Sequence, residues 1–355
     1  MTPASVVIVG GGVIGLSAAF HLAEAGVEDV VVVERGELGG GSTSKGAGGV
    51  RAMFSDELNV RIALRSLEAW AAFGERPGWE IDLHRVGYLF LLDREDDVRE
   101  FERSVAMQNR VGVPSRMVSV DEAHDLSPLA GMDGVLAAAL CPLGGHATPE
   151  GAVQGYASAA RASGVRIETH ASATRFREIG SDCLICAAGP WSAEVGALAG
   201  VPLDVRPERR RIAYTGPLTA SGPVPMTIDF STGLYFHREG PGLMFGTSDV
   251  CDTQDEWLER AVPVLRRRAP ALLEAPIAGG WWGDYEMTPD HNALIGEAPR
   301  APGRFLYATG FSGHGFQMAP AVGEIVRDLY LGRPPFVDVS ALAAGREGRR
   351  ERNVV

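Results

Sequence analysis

The chain has 355 residues, 45% hydrophobic and 22% charged, which is enough apolar material for a full core and more than one domain and excludes wholesale disorder. A formal charge of −12 excludes a nucleic-acid binder, because neutralising phosphates takes a dense basic face. Four cysteines are too few for a disulfide framework; beyond the pair Cys183 and Cys186 none stands at zinc-finger spacing, so no metal is expected.

The N-terminus is apolar but has no basic leader and breaks at Gly10, Gly11 and Gly12. It reads as neither signal peptide nor membrane span, and a cytoplasmic location is expected. Residues 5–9 form a β-branched run suited to a buried parallel strand. The sequence Gly10-Gly11-Gly12-Val13-Ile14-Gly15 follows, then a helical stretch over 16–25 and a second apolar run over 30–33 that ends in Glu34. This is a βαβ unit with a GxGxxG fingerprint and an acid nineteen residues beyond its last glycine. Gly10 allows the tight turn, Gly12 lets backbone approach a pyrophosphate, and Gly15 lets helix and strand pack closely. The helix N-terminus favours phosphate charge, and Glu34 can accept hydrogen bonds from a ribose. A dinucleotide site is the reading.

Residues 39–49 are rich in Gly, Ser and Thr and lead into Arg51. Such a stretch suits a chain lying against a flat ring and a pyrophosphate, or alternatively a surface linker. A helix is expected over 57–73, a strand over 86–92, a charged helix over 94–110 and a helix over 151–162. Strands follow over 165–168 and 183–188, the second holding Cys183 and Cys186 as buried strand residues rather than a redox loop. Residues 212–250 alternate as short strands between Gly/Pro turns, and a strand over 305–310 precedes a helix over 319–331. The runs Arg209, Arg210, Arg211 and Arg266, Arg267, Arg268 read as solvated element ends, and residues 346–352 as a frayed tail. Lys45 is the chain's only lysine.

With βα pieces at the start, middle and end and antiparallel strands between, the order fits a cofactor domain interrupted twice by a sheet-rich domain. The expected segments are 1–80, 145–205 and 290–355 for the first, and 81–144 and 206–289 for the second.

Five ordered motifs carry a resemblance: Gly10 to Gly15 with Glu34; Ser42-Thr43-Ser44-Lys45 through Arg51; Ala187-Ala188-Gly189-Pro190-Trp191-Ser192; Tyr285-Glu286-Met287-Thr288-Pro289-Asp290; and Gly310 through Gln317. Together they resemble the FAD-dependent D-amino-acid-oxidase superfamily, in the branch that holds sarcosine oxidase, glycine oxidase, dimethylglycine dehydrogenase and the proline dehydrogenase β-subunits. The resemblance implies an α/β plus α+β fold, with a Rossmann-type, glutathione-reductase-like FAD-binding domain and an inserted, mostly antiparallel-sheet substrate domain. It implies hydride transfer to flavin N5 from the carbon beside an amine nitrogen, most plainly in an amino acid or N-alkyl amine.

By similarity, Gly10, Gly12, Val13, Ile14, Gly15, Glu34 and Arg35 hold the ADP half of FAD. Ser42, Thr43, Ser44, Lys45, Gly48 and Gly49 pass along pyrophosphate and flavin, Ala173 meets the adenine, and Ala188, Gly189 and Trp191 close that side. Gly313, His314, Gly315, Phe316 and Gln317 line the flavin ring. Arg51 stands where these enzymes place a substrate-carboxylate arginine, a role its two parallel N–H groups suit; the alternative is a surface arginine paired with Asp56 or Glu57. Gln317 matches a second carboxylate contact. Tyr235 matches an active-site tyrosine or is a core strand residue. Met244 replaces a lysine that assists oxygen activation, which implies a slow oxidase or a dehydrogenase with another electron acceptor. Gly283 and Lys45 fall where relatives attach flavin, so non-covalent FAD is implied. Lys45 is read either at the flavin edge or against pyrophosphate and solvent, His314 as flavin-facing, and His291 as structural. Two other readings remain: oxidation of a 2-hydroxy acid or polyol, and a non-catalytic flavoprotein subunit.

Overall fold

Strand Ala4–Val9 is entirely aliphatic from Val6 onward and takes the centre of a six-stranded sheet. Val30–Val33 and Arg166–Glu168 extend the sheet on one side. Ser181–Cys186 and Arg304–Thr309 extend it on the other, all parallel, with Leu294–Glu297 antiparallel at the edge. Cys183 and Cys186 are buried strand residues, as expected. The computed structural model describes residues 4–171, 174–218, 222–299, 301, 303–348 and 350–354.

The second sheet has eight strands in the order Ile277–Met287, Arg206–Thr215, Gly242–Gly246, Leu234–Glu239, Met226–Asp229, Tyr88–Leu92, Ala137–Cys141 and Arg116–Val118. It is antiparallel except where Met226–Asp229 meets Tyr88–Leu92. The period-two alternation of strand side chains divides its residues between two cores. Leu89, Leu91, Phe236, Leu243 and Phe245 pack with Trp257 of helix Gln254–Arg268. Tyr88, Phe90, Met226, Ile228, Tyr235 and Met244 face the core shared with helices Val13–Glu24, Glu57–Ala71 and Gly315–Tyr330. The substrate-side cavity lies on that second face.

Both arginine runs bear out their sequence reading only in part: Arg266 and Arg267 are exposed in the last turn of helix Gln254–Arg268, as expected, whereas Arg268 and the strand run depart from it. Arg209, Arg210 and Arg211 lie inside strand Arg206–Thr215, whose long pairing with Ile277–Met287 carries them away from any strand end. Arg210 and Arg211 are buried because rings cover their guanidinium groups: Tyr285 at 4.4 Å from Arg210, and Trp282 at 5.2 Å from Arg211. Arg268 is 0% exposed, with Nε 2.8 Å from Asp229 Oδ1 and Nη2 2.8 Å from Asp93 Oδ2. A run of like charge hid a buried ion pair that only tertiary contact creates. Removing one partner of such a pair leaves the others uncompensated, so Arg268→Ala is expected to lower stability by about 3–5 kcal/mol. Thermal unfolding of the holoenzyme would show it as a fall in Tm, with the exposed Arg266→Ala unchanged.

The tail reading is also corrected. Glu351 and Asn353 are 0% exposed, and Arg346 pairs with Asp290 at 2.8 Å, so the segment is docked rather than frayed. Finally, the last long helix starts at Gly315 rather than 319, because Pro320 sits one turn inside it, where only one backbone hydrogen bond is forfeited.

Candidate active site

Two adjoining cavities follow the C-terminal ends of the parallel strands, the customary ligand position in such sheets. The first, about 390 Å³, is lined by Gly10, Gly12, Glu34, Arg35, Ala188 and Trp191 among others. The second, about 150 Å³, runs from Gly48 and Gly49 to Gln317. Val13, Ile14, Ser42, Thr43 and Glu286 line both, so the two form one elongated channel.

The fingerprint glycines meet their mechanical expectation. Gly10 has φ +118, and a Cβ on it would stand 2.1 Å from the Ala187 carbonyl oxygen. A Cβ on Gly15 would stand 2.0 Å from the Gly10 oxygen, which is how closely helix and strand approach. A Cβ on Gly12 would meet only Thr43 Oγ1, at 3.2 Å, and otherwise protrude into the channel. Helix Val13–Glu24 has no acid in its first turn and its N-cap Gly12 has no side chain to cap it; Val13 N donates to Thr43 Oγ1 at 3.2 Å, and the remaining first-turn amides can meet an anion. Glu34 is held at the wall by Gly11 N (2.7 Å) and Gly36 N (2.8 Å). The Arg35 guanidinium lies 3.6 Å over the Trp191 ring. This half fits an adenosine diphosphate moiety.

In the other half, the loop before helix Gly315–Tyr330 is fastened to strand Ile277–Met287. Ser312 N donates to the Glu286 carbonyl at 3.0 Å, and Thr288 N donates to Ser312 Oγ at 3.1 Å. Ser312 has φ 49, and a Cβ on Gly313 would collide with the Tyr285 ring at 2.5 Å. Strain held by such staples is common at ligand loops. Gly315, Phe316 and Gln317 form the first turn of the helix, so its uncapped amides face the cavity end that the loop lines.

Arg51 lines this cavity and is 4% exposed. Its Nη1 donates to the Met53 carbonyl and its Nη2 to the Asn353 carbonyl at 2.8 Å, while the Phe54 ring lies 4.3 Å from the guanidinium carbon. Among the described residues no carboxylate pairs with it: Asp56 caps Leu58 N, and Glu57 pairs with Arg61. Burial pulls its pKa down, but guanidinium remains charged at any working pH. Gln317 Oε1 accepts from Arg51 N at 3.0 Å, which leaves the Gln317 Nε2 as donor to the cavity. Tyr235 lines the cavity with its ring across Gly246, and burial raises its pKa well above 10, so it stays a neutral phenol. His314 also lines the cavity; burial, then Arg51, lowers its pKa well below 6.5, so it is neutral.

Ser44, Lys45 and Met244 line neither cavity. Lys45 closes the short 3-10 turn Thr43–Lys45, its Cβ over Gly283 and its carbonyl accepting from Trp281 Nε1 at 3.0 Å. Met244 lies in the layer of Tyr235, paired across the sheet with His237 and Tyr214. Ala173 falls outside the described residues. Sequence reasoning missed Tyr88, Phe90, Met226, Ile228, Tyr285 and Glu286, all of which line the second cavity. Tyr88 and Phe90 stand two apart in a strand and therefore share a face, a signal the sequence did contain.

Glu286 is buried where the two cavities join, accepting from Thr309 Oγ1 at 3.0 Å and Gly310 N at 2.9 Å. Burial pushes its pKa up to about 7 against those hydrogen bonds. A carboxyl raised from 4.5 holds its proton in the folded state after the unfolded chain has lost it, so stability falls as pH rises through that window. The wild-type apoprotein is expected to lose up to about 3 kcal/mol relative to Glu286→Gln across the interval. Tm measured for both proteins along a pH series checks this.

A family profile described as DAO, FAD dependent oxidoreductase, matches residues 5–329. The chain belongs to this family of FAD-dependent oxidoreductases. The flavoprotein is 27% identical to rat mitochondrial dimethylglycine dehydrogenase over 98% of its own length, but covers 45% of that protein. It thus spans about half the length of the dimethylglycine dehydrogenases it matches. It is 30% identical to bovine FAD-dependent oxidoreductase domain-containing protein 1, covering 92% of this chain and 81% of that one. Among solved structures it resembles L-proline dehydrogenase from P. horikoshii, with a TM-score of 0.88 and 30% identity over 96% of this chain and 97% of that one. Glycine oxidase from Geobacillus kaustophilus shares the fold, with a TM-score of 0.84 at 22% identity over 98% and 100% of the two chains. No helix among the described residues is long and apolar enough to cross a membrane.

Proposed function

We propose that this flavoprotein oxidises the C–N bond of a small amino acid or N-alkyl amino acid whose carboxylate is held by Arg51. One observation carries the reading: a buried guanidinium lines the substrate-side cavity with no carboxylate partner among the described residues. Glu351 offsets this buried cation only from a distance, and an arriving carboxylate would neutralise it directly with two charge-assisted hydrogen bonds. Gln317 Nε2 supplies a neutral second donor. Tyr88, Phe90, Met226, Ile228 and Tyr285 give the cavity an apolar wall that excludes water from the reacting carbon. Bound FAD supplies the two-electron sink. The protein's share is position and electrostatics; His314 and Tyr235 are neutral, and hydride removal from a neutral amine requires no strong base.

The relatives named above, a dimethylglycine dehydrogenase and an L-proline dehydrogenase, support this substrate class. The assignment of FAD contacts to Gly10, Gly12, Val13, Ile14, Glu34, Arg35, Ser42, Thr43, Ala188, Gly189 and Trp191 rests on their places along the first cavity; Gly15 lines neither cavity and serves through the close helix–strand approach. The four cysteines are free and buried, which suits a cytoplasmic setting. Anaerobic reduction of the yellow flavin by a panel of primary, N-methyl and cyclic amino acids tests the proposal. Bleaching by at least one amino acid supports it; bleaching by 2-hydroxy acids alone, or by nothing, overturns it.

For the oxidative half, we infer an acceptor other than oxygen. Met244 puts no cation on the cavity-facing layer of the sheet, and Lys45 lies outside the channel. Without a lysine ammonium at that position to favour superoxide, reoxidation in air-saturated buffer is expected to be slow in stopped flow and fast with an artificial dye. Rapid reoxidation by oxygen would contradict this.

A further inference from the structure

The docked tail ends on the cavity arginine. Glu351, fully buried, accepts hydrogen bonds from Ser55 N (2.6 Å), Ser55 Oγ (2.7 Å), Asp56 N (3.2 Å), Asn59 Nδ2 (2.9 Å) and Asn353 N (3.0 Å). Ser55 and Asp56 lie just beyond Arg51 in the chain, so this one carboxylate clamps the tail to the segment that carries the arginine. The clamp brings the Asn353 main-chain carbonyl to 2.8 Å from Arg51 Nη2.

We propose that Glu351 and the main chain of Asn353 are positioning elements for Arg51, setting the plane of its guanidinium for a carboxylate ligand. The inference rests on reading Arg51 as the carboxylate anchor. The Phe54 and Phe90 rings lie 4.3 and 5.2 Å from the guanidinium, and a ring face lets it slide and turn; Tyr88, its ring at 5.7 Å, adds a side-chain hydrogen bond. Two carbonyls, Met53 on Nη1 and Asn353 on Nη2, fix its direction. Both are neutral, so they orient the cation without neutralising it. Glu351, whose charge would neutralise it on contact, is instead occupied by backbone and amide donors. The Asn353 side chain takes no part: its amide is buried without a hydrogen-bond partner among the described residues.

The test uses the FAD-loaded full chain and two small probes, acetate and its neutral isostere acetamide, followed through perturbation of the flavin absorption band. Glu351→Leu is expected to raise the acetate dissociation constant about tenfold, the effect of one lost charge-assisted contact. Glu351→Gln should fall between Glu351→Leu and the wild type. Acetamide affinity, FAD content and the limiting rate of flavin reduction at saturating substrate should not move, and Arg350→Ala should match wild type throughout. Unchanged acetate binding in both Glu351 variants, alongside weakened binding in Arg51→Met, overturns the inference and leaves the anchor reading intact. Equal loss of acetate and acetamide affinity overturns it as general damage. If Arg51→Met binds acetate as wild type does, the anchor reading itself fails, and this inference with it.

Discussion

Arg51→Met is expected to lower the efficiency of flavin reduction by an amino acid about 140- to 3,700-fold, while FAD content stays at the wild-type level. The magnitude follows from removing one partner of a buried charge pair, about 3–5 kcal/mol, converted at about 1.4 kcal/mol per decade. FAD content is expected to hold because Arg51 belongs to the substrate-side cavity and not to the half lined by the fingerprint glycines. Arg51→Lys should recover part of the loss: it restores the charge but not the planar fork that meets two carboxylate oxygens at once. An amine without a carboxylate should lose little in either variant. Rapid-mixing anaerobic reduction, with the dependence on substrate concentration separating affinity from rate, distinguishes these outcomes. A loss that falls equally on amino acid and amine would mean that Arg51 supports the fold of the cavity and not the ligand.

The second large effect concerns cofactor retention. Gly15→Ala places a Cβ 2.0 Å from the Gly10 carbonyl, a contact that only separation of helix Val13–Glu24 from strand Ala4–Val9 relieves. Overpacking of this kind costs about 1–3 kcal/mol, or about 5- to 140-fold in FAD affinity, before any loss from amides moved off the pyrophosphate. The protein should purify pale and regain colour only at high FAD. The wild type should hold FAD without a covalent bond, because Gly283 offers no side chain and no cysteine lines either cavity. Acid precipitation should leave the yellow colour in the supernatant. A yellow pellet would contradict non-covalent binding, and a fully loaded Gly15→Ala would contradict the close approach of strand and helix.

Much of this architecture was legible from short-range pattern. The run ending at Val9, the glycines at 10, 12 and 15 and the acid at 34 determine a βαβ unit because each answers a local steric or electrostatic demand. The aliphatic strands of a parallel sheet betray themselves by composition alone. What sequence could not reveal depends on partners far away in the chain. Arg268 belongs to a run that looks solvated, and only the approach of Asp93 and Asp229 makes it a buried ion pair. Arg210 and Arg211 are buried under aromatic rings from other elements. The tail looked frayed because its charges alternate. Its order comes from Glu351 meeting backbone amides almost three hundred residues earlier, and no local pattern records that. The substrate-side cavity shows the same division. Arg51 and Gln317 were placed by motif, whereas Tyr88, Phe90, Met226 and Ile228 reach it only because two distant strands pair in parallel.

The anchor also frames how the two half-reactions relate. With His314 and Tyr235 held uncharged by burial, the second cavity carries a fixed positive charge at Arg51 and one titrating carboxyl at Glu286. In the proposed function that charge serves the carboxylate in the reductive half. For the oxidative half, the proposed acceptor other than oxygen rests on Met244, which lies in the layer of Tyr235 and brings no charge.

The most direct measurement compares matched pairs under anaerobic conditions: an amino acid and the same amine without its carboxylate, such as proline against pyrrolidine and sarcosine against dimethylamine. With FAD bound, at least one amino acid should bleach the flavin while its decarboxylated partner does so orders of magnitude more slowly, and Arg51→Met should erase that difference. Equal reduction by both members of every pair, or a preference that survives Arg51→Met, would contradict carboxylate anchoring at Arg51.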